Sequence, residues 1–260
     1  MHCVRQRKIS KLALMNKSRK IVDNWIEIIF IYFNQKKEKF STLKIKNGIK
    51  IKLRNNSTDI QAFANVWLLE EYNQDKFIPK ENDIVIDIGA HIGLYAMYIS
   101  QKKDNVKIFS YEPVHENYNL LNKNIKENKL HNVKIFNFAV GKTSGKEKIF
   151  LSNDQSAHNM YEKSENFEAV NMITLDEIIK ENKLEKISIL KLDCEGAEYD
   201  IFENLSEGSF EKIEKICFEY HIMNEDDSRL NNLKEKLIKK NFKLEILPTN
   251  NNLGMIFAKK

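Results

Sequence analysis

Residues 83–113, DIVIDIGAHIGLYAMYISQKKDNVKIFSYEP, restrict the fold of this chain more than any other segment. The apolar run Ile84-Val85-Ile86 reads as a buried strand over 84–87, ending at Asp87 just before a turn that holds Gly89 and Gly93. Residues 93–101 then have helical spacing, with Leu94, Met97 and Tyr98 on one face. A second apolar strand, 106–111, ends in the acid Glu112. Strand, glycine turn, helix, strand and terminal acid is the layout of a nucleotide-type pocket in a parallel α/β sheet. The glycines let backbone approach the ligand, and the acid accepts hydrogen bonds from a ribose.

The spacing also discriminates between nucleotides. A dinucleotide site calls for a second glycine two residues after the first, so that backbone can touch the pyrophosphate. That position is His91 here, whose side chain obstructs such an approach. A ligand with a ribose and no phosphate fits better, and S-adenosylmethionine is the common one. Taken alone, Gly89 and Gly93 could equally shape a strand-to-helix turn in an unrelated α/β protein; Glu112 argues against that reading.

The formal net charge of +5 is unevenly spread. The first twenty residues carry seven Lys and Arg and no acid, which is +7, so the remainder sums to −2. The body therefore has no net basic field to hold a nucleic-acid backbone, and no nucleic-acid partner is expected. Three cysteines, Cys3, Cys194 and Cys217, show no paired or metal-finger spacing, as expected of a reducing compartment. The longest nearly apolar stretch, Trp25 to Phe33, is nine residues and includes Glu27, against about 20 needed to span a bilayer. No small-residue cleavage pattern follows it, so a cytoplasmic location is expected. Residues 1–35 read as a basic arm and an amphipathic helix from Ser18 to Gln35. This helix is expected to pack on the main domain; the alternative is a helix lying on the inner face of an anionic membrane.

Leu43 to Leu53 alternates on both sides of Asn47-Gly48, the signature of a hairpin with a type I′ turn. Residues 59–72 read as a helix capped by Asp59. Residues 1–76 thus form an N-terminal extension, and the main domain is placed at 77–260. Within it, strands at 84–87, 106–111, 133–140, 187–193 and 213–221 alternate with helices at 93–101, 115–129, 175–183, 196–204 and 228–240. A turn-rich excursion fills 141–171, Thr174 and Glu177 form a capping box, and strands 242–247 and 253–258 close the chain. Repeated strand–helix units mean a parallel sheet with helices on both faces, and the closing pair puts an antiparallel strand in the edge region.

The segments DIGAHIG, YEP, FAVG and TLDEI, and above all LKLDCEGAEYDIFENL at 190–205, resemble FkbM-type methyltransferases, a branch of the class I S-adenosylmethionine-dependent enzymes. The resemblance covers about 84–221, and the Lys-x-Asp-x-Glu-Gly-x-Glu block at 191–198 is its most specific part. It implies a Rossmann-like seven-stranded sheet with strand seven antiparallel. It also implies O-methyl transfer from S-adenosylmethionine to a hydroxyl of a glycan or other small molecule. Asp87, Gly89, Ala90 and Gly93 would line the methionine end of the cofactor, Glu112 would bind the ribose, and Asn137 to Val140, Ala139 included, would border the adenine. His91 departs from the family, which more usually has Asn there.

A second cluster lies at the carboxyl ends of two strands. Asp193 ends an apolar strand, and Glu219 and His221 share a face of the next. A sugar hydroxyl is a poor acid, so transfer to it needs a base or a divalent cation, magnesium or manganese. Asp193, Glu195 and His221 are the candidate catalytic residues, and Asp193, Glu219 and His221 the candidate metal ligands. Glu198 reads as helix-end structure favoured by the dipole. Two other classes stay open: a nicotinamide-dependent oxidoreductase, disfavoured by His91, and a non-catalytic binding module, disfavoured by the joint presence of Asp87, Glu112 and Asp193.

Overall fold

The computed structural model describes residues 11–73, 77–151, 166–222, 228–250 and 252–260. The chain opens with α1 (Lys11–Ile21) and α2 (Ile26–Tyr32), not with one helix over 18–35. Val22 lies between them, where it bridges to Ile45 and is fully buried. β1 (Phe40–Lys44) and β2 (Lys50–Arg54) form the expected hairpin with a different turn. Gly48 has φ +96° while Asn47 is not left-handed, and the Ile45 N–H reaches the Ile49 carbonyl at 2.8 Å. This is a turn relaxed by one left-handed glycine, where a type I′ turn would need two left-handed residues.

The expected helix over 59–72 is α3 (Asp59–Phe63) followed by a π-helical segment, Ala64–Leu69. The N-cap is Thr58; Asp59 stands at the first helical position and gives its carboxylate to Arg54 instead. The widened turns end at Glu70, whose φ of +57° breaks the helix and redirects Glu71 and Tyr72.

Then come β3 (Ile84–Ile88), α4 (Leu94–Ser100), β4 (Lys107–Tyr111), α5 (His115–Glu127) and β5 (Val133–Phe136). The strand expected over 133–140 is interrupted at Asn137. Its side-chain amide donates to the carbonyls of Glu112 and Pro113 at 2.9 and 2.8 Å, and the chain leaves the main sheet. β6 (Ala139–Gly141) pairs instead with β8 (Phe167–Thr174), which also pairs with β7 (Gly145–Phe150). The excursion over 141–171 thus contributes two strands of a separate three-stranded sheet. Residues 152–165 of it lie outside the described residues.

The capping box of Thr174 and Glu177 opens α6 (Leu175–Glu181) as expected. β9 (Ile189–Leu192), α7 (Ala197–Asn204), α8 (Glu207–Lys212), β10 (Lys215–His221), α9 (Arg229–Lys239), β11 (Lys243–Pro248) and β12 (Leu253–Lys259) complete the chain. The short α8 escaped the sequence analysis. Its glycine and serine carry little helical pattern, and it is fixed by the Ser206 cap.

The main sheet has seven strands in the order β11-β12-β10-β9-β3-β4-β5. β12 is antiparallel to both β10 and β11, so the reversed strand lies one place in from the edge. All four residues of β9 are buried, as a parallel strand covered on both faces requires. The hairpin is held to this body by an asparagine ladder. Asn124 and Asn128 of α5 each accept from and donate to the backbone of β2, at Lys52 and Lys50, with bonds of 2.7–3.0 Å. Amide side chains thereby satisfy an edge that would otherwise template another strand. Leu43, Ile51, Leu53 and Phe63 share one apolar cluster with Val85, Met97 and Ile108, so the N-terminal elements are built into the core of the main sheet.

Candidate functional site

At the carboxyl end of β3, buried charge organises the backbone. Lys191 of β9 is 3% exposed and donates to the Gly89 carbonyl at 2.9 Å. Its Nζ lies 3.1 Å from Asp87 Oδ1, close enough for charge attraction although not aligned as a hydrogen bond, and 3.9 Å from Asp193 Oδ2. Burial works against the ammonium, but the carboxylates of Asp87 and Asp193 hold it above the ordinary lysine range. Burial of Asp87 outweighs the attraction of Lys191 and raises its carboxyl. Gly89 is required by this crossing. A Cβ there would stand 1.8 Å from the Asp193 carbonyl oxygen, and its φ is +73°.

The turn that follows is clamped from both sides. Glu112 Oε2 accepts the His91 N–H at 2.8 Å, and Oε1 accepts the Val114 N–H at 3.0 Å and the Asn117 amide at 3.4 Å. Burial raises the Glu112 carboxyl while these donors and His91 oppose the rise. The His91 ring reaches the N-terminal extension, with Nε2 3.0 Å from Arg54 Nη2 and 3.3 Å from Asp59 Oδ1. Burial of Asp59 opposes its charge, yet His91 and the Arg54 fork hold its carboxyl well below the usual range. His91 also has φ +50°, a left-handed conformation that asparagine tolerates well.

A cavity of about 300 Å³ runs from Glu112, Val114 and Asn117 to Asp193, Glu71 and Glu219. One wall belongs to the N-terminal extension, through Gln61, Ala62, Asn65 and Val66. The Tyr72 hydroxyl donates to Asp193 Oδ2 at 2.8 Å, and its ring meets Tyr95 edge-on at 5.4 Å between centroids. Burial beside Asp193 pushes the Glu71 carboxyl up to about 7, although Lys191 and Tyr72 pull the other way. Burial, with Asp193 and Glu71 as neighbours, likewise raises Glu219 far out of the carboxylate range.

His221 does not face this cavity as a base or a ligand. Nε2 lies 3.2 Å from Glu195 Oε2 and Nδ1 lies 3.2 Å from Glu198 Oε1. Burial disfavours the imidazolium, but Glu198, Glu195 and Glu219 push its pKa up to about 9. With both nitrogens engaged and the ring charged at neutral pH, no lone pair is left for a metal or a proton. Of the trio expected to bind a cation, His221 is taken up by Glu195 and Glu198, and Asp193 by the Tyr72 hydroxyl and Lys191, while the raised Glu219 carboxyl is a poorer anionic ligand. Among the described residues, no three His, Cys, Asp or Glu side chains converge as a metal site.

A profile of the Methyltransferase FkbM domain matches residues 87–244. The chain belongs to the FkbM methyltransferase family. The matched part is an S-adenosylmethionine-dependent methyltransferase domain. AMB antimetabolite synthetase AmbE of Pseudomonas aeruginosa is 20% identical over 223 residues, 71% of this chain and 10% of that protein. Methyltransferase sdnD of Sordaria araneosa is 25% identical over 171 residues, 53% of this chain and 66% of that protein. Hexuronic acid methyltransferase AglP of Haloferax volcanii is 20% identical over 170 residues, 62% and 69% respectively. The chain thus spans a small part of the first of these and about two thirds of the second. Among solved structures, Aeropyrum pernix fibrillarin with bound S-adenosylmethionine aligns at a TM-score of 0.47 and 11% identity, over 85% of this chain and 94% of that one.

Of the residues expected to contact the cofactor of this FkbM chain, Gly89, Ala90, Glu112 and Ala139 line the cavity. Asp87, Gly93 and Asn137 do not line it. Asp87 lies beneath, paired with Lys191, and Gly93, with φ +89°, packs on Leu121. Asn137 ties the β4–α5 turn from behind. On the opposite side Asp193, Glu195 and Glu219 line the cavity and His221 stands behind them. Glu198 is fully buried and accepts the Gly196 N–H at 2.9 Å, the helix-end role expected of it, and it also holds His221. Glu71, Tyr72 and the wall from 58 to 66 were missed. The cavity fits the cofactor chemically: a carboxylate offers about four acceptor positions, and Glu112 spends two on backbone donors and a third on the long Asn117 contact. A ribose hydroxyl can take the fourth and displace the third. No helix among the described residues is long and apolar enough to cross a membrane.

Proposed function

We propose that this chain transfers the methyl group of S-adenosylmethionine to a hydroxyl of a glycan or other small molecule. The observation that carries this reading is a single cavity joining a ribose-type acid, Glu112, to a cluster of carboxyl groups, Asp193, Glu71 and Glu219. The bound cofactor would supply an electrophilic methyl group. The protein's part is to orient the two reactants and receive the proton that a hydroxyl loses. Gly89 and Ala90 would face the methionine end, Glu112 the ribose, and Phe138 and Ala139 the adenine. Asp193, fixed by Tyr72, would orient the acceptor. The Haloferax relative, named for a hexuronic acid, supports a sugar as the acceptor.

Calorimetry on the purified protein should show S-adenosylhomocysteine binding and no NAD binding. Mass spectrometry of cell-surface glycans with and without the protein should then reveal a methyl difference of 14 mass units, ~14 Da per transferred group. NAD binding with no S-adenosylhomocysteine binding would overturn the reading in favour of an oxidoreductase. A second proposal concerns the N-terminal helices. One side is built into the core, whereas Ile26, Phe30, Tyr32 and Phe33 are 42–62% exposed beside Lys36, Lys37 and Lys39. Apolar side chains ringed by lysines suit an anionic membrane surface.

A further inference from the structure

We propose that Glu71, which lies ahead of the family-matched region, is the carboxylate that takes the proton from the acceptor. The inference deepens the methyl-transfer reading and rests on it. Glu71 owes its place to backbone geometry. The π-helical segment Ala64–Leu69 ends at the left-handed Glu70, the Glu71 N–H is held by the Asn65 carbonyl at 3.1 Å, and the next residue, Tyr72, is tied to Asp193 at 2.8 Å. These constraints set Glu71 against the cavity beside Asp193.

The neighbouring groups are otherwise engaged. Asp193 Oδ2 already accepts the Tyr72 hydroxyl and faces Lys191 Nζ at 3.9 Å. Burial and the charges of Asp193 and Glu71 raise the Glu219 carboxyl on β10, which favours it as a hydrogen-bond donor to the acceptor. Lys191 is an ammonium and His221 an imidazolium between two glutamates. Tyr95, from α4, is a buried phenol whose pKa burial pushes up. Glu71 is half-buried and lines the cavity, and burial beside Asp193 pushes its carboxyl up to about 7, near the operating pH that suits a general base. In the step assigned to it, the acceptor's O–H proton passes to the Glu71 carboxylate as the O–CH3 bond forms. The S–CH3 bond breaks at the same time, its electron pair returning to sulfur to leave a neutral thioether.

The test uses two ligands that differ in charge at the reacting position. Sinefungin carries an ammonium where S-adenosylmethionine carries its methyl sulfonium, and S-adenosylhomocysteine is neutral there. Calorimetry at pH 8 should show Glu71→Gln losing about tenfold in sinefungin affinity, the effect of removing one charge within a few ångströms of another in a partly shielded site. S-adenosylhomocysteine affinity should stay within about twofold, since that ligand carries no charge at the position Glu71 faces. Glu70→Gln is the control, because that carboxylate turns away to accept the Tyr98 hydroxyl at 2.6 Å; it should change neither ligand. An unchanged ratio of the two affinities in Glu71→Gln, or an equal loss for both, would overturn the assignment while leaving the methyl-transfer reading intact. Failure of the wild-type protein to bind either ligand would overturn both.

Discussion

Lys191 gives the sharpest test of how this site is held together. Its side chain is 3% exposed and faces Asp87, which is fully buried, at 3.1 Å. Lys191→Met keeps the volume of the side chain but leaves that carboxyl without a cation, and breaking a buried pair from one side costs about 3–5 kcal/mol. For a chain of this size, each kcal/mol lowers the melting temperature by about 2–4 °C. Differential scanning calorimetry should therefore find a drop of roughly 6–20 °C. Lys191→Met combined with Asp87→Asn should recover most of the loss, because the fully buried carboxylate is gone and Asp193 is partly exposed and keeps the Tyr72 hydroxyl. The pH dependence has a definite sign. Burial already raises Asp87, and removing the attracting Lys191 raises it further above its unfolded value. The folded variant then binds this proton more tightly than the unfolded chain, so its deficit should shrink as pH falls and grow as pH rises. A single variant within 1 kcal/mol of wild type, less than about a third of the cost for a broken buried pair, would refute the reasoning. So would a double variant as unstable as the single one.

Glu112→Ala should weaken S-adenosylhomocysteine binding by about 1.5–3 kcal/mol in calorimetry. It should also lower the melting temperature, because the His91 and Val114 N–H groups lose their acceptor. His221 has a folded pKa of about 9, above its ordinary 6.5, so its ion pairs stabilise fully below pH 6.5 and the gain is lost as pH rises through 9. The stability gap between wild type and His221→Gln in urea titrations should be on the order of 2 kcal/mol at pH 6 and close to zero at pH 10; a constant gap would mean the ring is neutral. If the exposed aromatic residues of α2 meet a membrane, the protein should co-sediment with vesicles containing phosphatidylglycerol and be released by salt. Phe30→Ser/Phe33→Ser should abolish that association without lowering the melting temperature, and absence of wild-type binding would dismiss the surface.

Elements written in long unbroken patterns were legible in the sequence. The run Ile84 to Ile86 read as a covered strand, Thr174 and Glu177 announced a helix start through local bonds, and the closing strand pair implied the reversal realised by β12. The misreadings occurred where a distant partner overrides local pattern. Residues 133–140 alternate well enough for one strand, but the bonds of Asn137 to the chain after Glu112 divide it. Asp59 looks like a helix cap until Arg54 and His91 claim its carboxylate. His221 read as a base because spacing places it on the same face as Glu219; its charge state depends on Glu195 and Glu198, reached only by folding α7 against β10.

The acceptor side of the cavity follows the same logic. Tyr72 and Asp193 are 121 residues apart in sequence, and no periodicity links them. What the sequence did carry was the departure at His91, where the family more usually has asparagine. Asparagine would satisfy the left-handed backbone at that point, but it is too short to reach far beyond the turn. Histidine satisfies the backbone and spans to Arg54 and Asp59 as well, joining the glycine turn to the N-terminal extension. The helix that begins at Asp59 leads through the π-helical segment to Glu71 and Tyr72, so this link helps hold the cavity wall from the N-terminal extension against the glycine turn. Within the cavity, Glu112, Asp193 and Glu219 belong to the matched domain, and Gln61, Asn65, Glu71 and Tyr72 to the N-terminal extension, which on the proposed reading borders the acceptor. Substitutions in that wall, at Gln61 or Asn65 for example, are therefore the ones expected to change the acceptor while leaving S-adenosylhomocysteine affinity as it is. Equal losses of donor and acceptor binding in such variants would show instead that the wall serves the pocket as a whole.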